Sequence, residues 1–133
     1  MHIMLDTNIL ISIVIFNSSR LKEMLIKICD KYTLVLSSYI IEEFKEVINK
    51  KFPNNRKNID DFLSKLPYIL NITPINKDMD NIKINIRDKN DIPVLYSAIV
   101  SNVDIFITGD KDFYNVNIKR PKIMTVNDFL KEY

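Results

Sequence analysis

The apolar residues of this chain fall into two alternating kinds of pattern. Short continuous runs, "HIML" at 2–5, "TLVL" at 33–36, "YILNI" at 68–72 and "DIFIT" at 104–108, read as strands of the buried kind. Between them the spacing becomes helical. Leu21, Met24, Leu25 and Ile28 share one helical face, as do Ile40, Phe44, Val47 and Ile48, and then Ile59, Phe62, Leu63 and Leu66. A further helix opens at "DIPVLYSAIV", with Asp91 as a cap and Pro93 in the first turn, where its missing N–H is harmless. The tail "KIMTVNDFLKEY" predicts a last strand and a short helix, whereas the polar stretch 74–90 reads as a long loop with at most one short element. Strand alternating with helix means crossover connections, hence an α/β fold around a mainly parallel sheet.

Composition narrows the class without changing this picture. A chain of 133 residues, 47% hydrophobic and 27% charged, is expected to form one globular domain over 1–133 that buries about two-thirds of its unfolded surface. The net charge of +2 permits a polyanionic partner without requiring one. The run "ILISIVIF" at 9–16 could pass for the core of a signal peptide. No Lys or Arg precedes it, however, and Asp6 stands where a basic region belongs, so secretion is not expected. No stretch reaches membrane-spanning length. The lone cysteine, Cys29, allows neither an internal disulfide nor a cysteine-based zinc site, which suits a reducing cytoplasm, and it reads as a small core residue.

Counting then removes several chemistries. A single glycine excludes the GxGxxG turn and the Walker phosphate loop, and a lone histidine, His2, excludes the His-Glu-x-x-His zinc helix. It also argues against a Ser-His-Asp triad. Carboxylates, hydroxyls, lysines and arginines remain, so a site here would be built from acids.

In an open parallel sheet ligands bind outside the carboxyl ends of the strands, and acids placed there converge. Asp6 follows the first strand, Asp110 follows "FITG", Asp91 opens a helix, and Glu43 lies early in the helix after "LVLSS". On that helix Glu43 falls at the edge of the buried arc, while Glu42 and Glu46 point nearly opposite. Asp91 aligns with Leu95 and Ala98 on an inward face. Each acid also has an ordinary structural reading. Asp6 and Asp91 can be helix caps, Glu43 a solvated helix acid like Glu46 beside Lys50, and Asp110 and Asp112 turn residues. None of these readings explains why all four acids share one sheet edge. Gly109, the only glycine, is expected to supply a positive φ or a close backbone approach that ends the strand and delivers Asp110, unless it is an ordinary turn glycine.

Five segments in order, "MLDTNILIS", "VLSSYIIEEF", "RDKNDIPVLYSAI", "DIFITGDKDF" and "KIMTVNDFL", resemble the PIN-domain family, small nucleases common as toxins of prokaryotic toxin–antitoxin pairs. The resemblance implies a three-layer α/β/α sandwich and an endoribonuclease that uses Mg²⁺ or Mn²⁺ on single-stranded RNA. It carries the family's acids onto Asp6, Glu43, Asp91 and Asp110, with Asp112 as an accessory ligand; Asp88 competes with Asp91 for the third position. Ser37 and Thr108 correspond to hydroxyls beside the site, and Asn8 to a polar companion of the first acid. An antitoxin partner, and a homo-oligomer, are further expectations. The chemistry agrees with what counting left, because hard divalent cations prefer oxygen ligands and such a metal lowers the pKa of a water for phosphodiester hydrolysis.

Substrate contacts would come from bases and aromatics around the acids: Arg20, Lys45, Lys111 and the "IKRPK" cluster for phosphates, and Tyr39, Phe113 or Tyr114 for stacking. Two alternatives stay open. One is a catalytically inactive PIN-like module that holds RNA or a partner. The other is a phosphatase of the haloacid dehalogenase type, which wants an Asp two residues after the first, where this chain has Asn8.

Overall fold

The computed structural model describes residues 1–74 and 91–133. Of the loop predicted over 74–90, residues 75–90, Asp88 among them, lie outside the described residues.

Five strands form one parallel sheet: β1 His2–Leu5, β2 Thr33–Ser37, β3 Tyr68–Asn71, β4 Ile105–Ile107 and β5 Lys122–Met124, in the order β3-β2-β1-β4-β5. The chain starts at the centre, moves outward to β3, then crosses back over β1 to β4. β1 and β4 therefore lie side by side, with Leu5 opposite Ile107, and the chain leaves both strands at the same edge of the sheet. The central strands are buried on both faces, which is why their sequences run apolar without alternation.

The helices are α1 Thr7–Phe16, α2 Ser19–Lys31, α3 Ser38–Lys51, α4 Arg56–Lys65, α5 Ile92–Val100 and α6 Val126–Glu132. α3 packs against α1, α4 and α5, and α2 packs against α1 and α6. Phe44, Phe106, Phe113 and Phe129 are all buried in this core, each contributing about 1.5–3 kcal/mol by leaving water. No helix among the described residues is long and apolar enough to cross a membrane.

Two expectations about elements are corrected. The run 9–16, judged above only as a possible leader, is helix α1. It begins directly after Asp6 and stops at Asn17 in the left-handed conformation, with φ 50° and ψ 38°. β3 is not a buried strand: among the described residues it pairs only with β2, and Ile69, Leu70 and the following Ile72 are 48%, 48% and 71% exposed. A continuous apolar run records composition, not whether a second neighbour lies beyond the strand.

Candidate active site

Asp6 is the residue between β1 and α1. Its backbone N–H donates to the Ile107 carbonyl at 2.9 Å, and its carbonyl accepts from Ile9 and Leu10, which fixes it at the junction of strand and helix. Its carboxylate makes no capping bond to α1. Instead Oδ2 accepts from the Thr108 hydroxyl at 2.7 Å. Asp6 is 5% exposed. Burial pushes its carboxyl pKa up to about 6, against the lowering pull of the Thr108 hydroxyl and the Thr7 backbone, with the charges of Glu43 and Asp110 raising it further. Thr7 is likewise buried, and its Oγ1 has no hydrogen-bond partner among the described residues.

Thr108 is fully buried and joins three groups. Beyond its bond to Asp6, its Oγ1 accepts from the Asp110 N–H at 3.1 Å, and its carbonyl accepts from the Tyr114 hydroxyl at 2.7 Å. Asp110 in turn accepts from the Asp112 N–H at 2.9 Å, holding a single 3-10 turn over Lys111–Phe113. Asp91 stands at the N-terminal end of α5, with Pro93 in the first turn. Carboxylate oxygens of Asp91, Asp110 and Asp112 all lie within 4.8 Å of one another.

Glu43 is half-buried in the second turn of α3, while Glu42 and Glu46 are exposed, as the helical wheel predicts. Its charge is felt both at Asp6 and at Tyr39, whose phenol pKa is raised by burial, then by Glu43, Glu46 and Asp91. Tyr114, bonded to the Thr108 carbonyl, has its pKa raised by burial, then by Asp128, Asp110 and Asp6. Of the five acids, Asp91, Asp110 and Asp112 come together at metal-ligand spacing, while Asp6 and Glu43 stand outside that trio and act on it through charge. Neither Asp6, Glu43 nor Asp110 takes part in an ion pair among the described residues.

All donors in this group are oxygens, and metal–oxygen bonds of about 2.1 Å in an octahedron place ligands roughly 3–4.2 Å apart. The spacing of Asp91, Asp110 and Asp112 needs little contraction to reach that range. The residues present therefore fit a hard divalent cation. Asp6, held partly protonated near neutrality by burial, is a carboxylate that a cation would return to its charged form.

Other candidates are placed differently. Ser37 does not reach the acids: its hydroxyl accepts from Ile40 N–H at 3.1 Å and donates to Ser97 Oγ at 2.9 Å, and Ser97 donates to the Val94 carbonyl at 2.7 Å. Both serines are fully buried, tying the start of α3 to α5. Ser97 was missed in the sequence, although a hydroxyl in the apolar stretch "VLYSAIV" was a usable signal. Asn8 is exposed and lines a groove with Ile9, Ser12, Gly109 and Asp110. Lys45 lines another pocket with Glu42 and Asp60, and Arg20 bonds the Asn127 side chain. Lys111 is exposed beside Asp110. Of the "IKRPK" cluster, Arg120 is held by Asp104 and the carbonyls of Asn102 and Val103, and Lys122 by Glu132. Phe113, offered above for stacking, is buried against Phe106 at 5.4 Å between ring centroids, so only Tyr39 and Tyr114 remain exposed enough for that role. A larger cavity of about 640 Å³, between α1, α2 and α4, contains none of the five acids.

The expectation for Gly109 is also corrected. Its φ is not positive, and a Cβ built on it would meet nothing within 4 Å among the described residues. Neither a special turn nor a close approach by the chain explains it.

The family model described as PIN domain matches residues 2–112. The chain belongs to the PIN-domain family. PIN domains are generally nucleases that use divalent metals, which agrees with an all-oxygen acidic group as the chemical centre of this fold. Among solved structures, this PIN domain is similar in fold to VapBC2 from Rickettsia felis, solved bound to a DNA fragment from their promoter. The TM-score is 0.71 at 19% sequence identity, covering 94% of this chain and 98% of that one. Comparison with curated proteins gives no match.

Proposed function

We propose that this PIN domain is a Mg²⁺- or Mn²⁺-dependent endoribonuclease that hydrolyses single-stranded RNA, acting in the cytoplasm as the toxin of a toxin–antitoxin pair. The observation that carries the reading is the convergence of Asp91, Asp110 and Asp112 within 4.8 Å, with Asp6 and Glu43 electrostatically joined to them. Asp6, Asp91, Asp110 and Asp112 would hold the cation, with Glu43 completing the negative wall. When bound, the cation supplies Lewis-acid charge at the phosphate and lowers the pKa of a water to make the nucleophile.

The chain's own residues do the remaining work. Thr108 orients the Asp6 carboxylate and the 110–112 turn through one hydroxyl. Ser37 and Ser97 hold together the helices that carry Glu43 and Asp91. Tyr39 and Tyr114, both within electrostatic reach of these acids, offer rings on which bases of a single strand can stack. The absence of any base-reading arrangement among these residues favours contact with the strand's backbone over a defined sequence.

An antitoxin partner is supported by the fold's likeness to a chain of a toxin–antitoxin complex, and self-association of the chain is part of the same proposal. Incubating the purified protein with a labelled RNA strand and, separately, with a small phosphate monoester tests the reaction class. Cleavage of the RNA alone is expected. Release of phosphate from the monoester without RNA cleavage would favour a phosphatase, and inertness toward both would favour a binding module.

A further inference from the structure

Gly109 is the only glycine of the chain, yet the fold gives no reason for it. The two described non-glycine positions with positive φ, at 50° and 55°, are occupied by Asn17 and Asn102. The chain therefore uses asparagine where its backbone turns left-handed, and glycine where the backbone is ordinary. A methyl group on Gly109 would touch nothing within 4 Å among the described residues. What a side chain at 109 would occupy is open space, and that space has a position: a groove of about 370 Å³ walled by Asn8, Ile9, Ser12, Gly109 and Asp110. The groove shares Asp110 with the acidic group and runs from it onto the first turns of α1. The Asn8 amide and the Ser12 hydroxyl are donors suited to phosphate or ribose oxygens, whereas a carboxylate-lined continuation would repel them.

We infer that this groove is the seat of the nucleotide next to the scissile phosphate, and that residue 109 is glycine so that the sugar–phosphate backbone can lie against the main chain there. The inference rests on the ribonuclease reading and deepens it. A side chain at 109 then obstructs the substrate and little else, because its Cβ meets nothing within 4 Å among the described residues beyond its two chain neighbours.

The test compares wild type with Gly109→Ala and Gly109→Val by thermal melting, Mn²⁺ titration and steady-state cleavage of a single-stranded RNA oligonucleotide. Fluorescence anisotropy of the same labelled oligonucleotide is read in a Glu43→Gln background. The melting temperature should stay or rise slightly, since alanine at an unstrained site restricts the unfolded chain. The Mn²⁺ midpoint should stay within about twofold, while KM and the RNA dissociation constant rise about tenfold for alanine and further for valine. Unchanged RNA binding and KM in both variants of a cleaving enzyme would overturn the inference alone. A clear drop in melting temperature would overturn it too, by showing that the chain itself packs on residue 109. A wild type that neither binds nor cleaves RNA would remove the ribonuclease reading and this inference together.

Discussion

The Thr108 hydroxyl donates to the Asp6 carboxylate at 2.7 Å across 102 positions of sequence, joining the ends of the adjacent strands β1 and β4. Both residues are buried, and this bond is the larger of the two polar contacts that oppose burial in setting the charge of Asp6, the Thr7 backbone being the other. The folded carboxyl pKa of about 6 lies above the ordinary 3.8. Its contribution to stability is therefore complete below 3.8 and is lost as pH rises through about 6. Thr108→Val removes the restraint and raises that pKa further. A hydrogen bond to a charged group is worth about 1.5–3 kcal/mol, so the acidic limb of the cleavage pH profile should move up by about one unit or more. Without metal the variant should melt below wild type at pH 8, with the gap narrowing at pH 5. Thr108→Ser should restore both properties; an unshifted profile in Thr108→Val would mean that Asp6 does not set the acidic limb.

Glu43 and Glu42 are neighbours in sequence but not in the site. Glu43 is half-buried and its charge reaches Asp6, whereas Glu42 is exposed and lines a pocket with Lys45 and Asp60. Glu43→Gln should lower cleavage by at least about a hundredfold, as expected when a preorganised charge is removed from an active site, and Glu42→Gln should leave it within about twofold. Equal losses in both would place the functional face of α3 elsewhere.

Gathering these carboxylates works against the fold when no cation is present. Asp110→Asn keeps an oxygen to accept from the Asp112 N–H while removing one charge. In EDTA at neutral pH it should melt above wild type, a trade of stability for function common at such sites. Mn²⁺ should reverse the order, because it stabilises only the protein that binds it. A variant that melts lower in EDTA and gains equally from Mn²⁺ would make Asp110 a structural turn residue.

Ser97→Ala breaks the buried tie between α3 and α5 and leaves the Ser37 hydroxyl without its acceptor. The expected cost is about 1–3 kcal/mol of stability. As a positioning effect it should also weaken Mn²⁺ binding severalfold, and Ser97→Thr should recover more of that binding than alanine does. A control that lowers stability comparably at a core position outside the serine pair, such as Ile28→Val in α2, should leave Mn²⁺ affinity unchanged. Equal Mn²⁺ affinity in Ser97→Ala and wild type would confine the serine pair to stability.

Much of this was legible in the sequence, for identifiable reasons. The central strands are buried on both faces and so announce themselves as unbroken apolar runs, and α2, α3 and α4 each keep one apolar stripe. Because a parallel sheet sends its strand ends to one edge, the places of Asp6 and Asp110 followed from order alone. α1 was not legible as a helix: its residues are apolar on nearly every face, so no period marks it. The exposure of β3 follows from its pairing with β2 alone among the described residues, which an apolar run does not reveal. The role of Ser37 turned on Ser97, a contact over 60 positions. Gly109 was assigned a backbone role by habit of residue type, whereas its φ and surroundings are ordinary.

The measurement that bears most directly on the central claim is cleavage of a single-stranded RNA by extensively purified, EDTA-stripped protein, followed as Mn²⁺ is added back. The account predicts no cleavage in EDTA, recovery that saturates with Mn²⁺, and no recovery in Asp91→Asn at the same concentrations, since its carboxylate is part of the group that would hold the cation. Cleavage that persists at full rate in chelator, or that Asp91→Asn carries out as well as wild type, would contradict it.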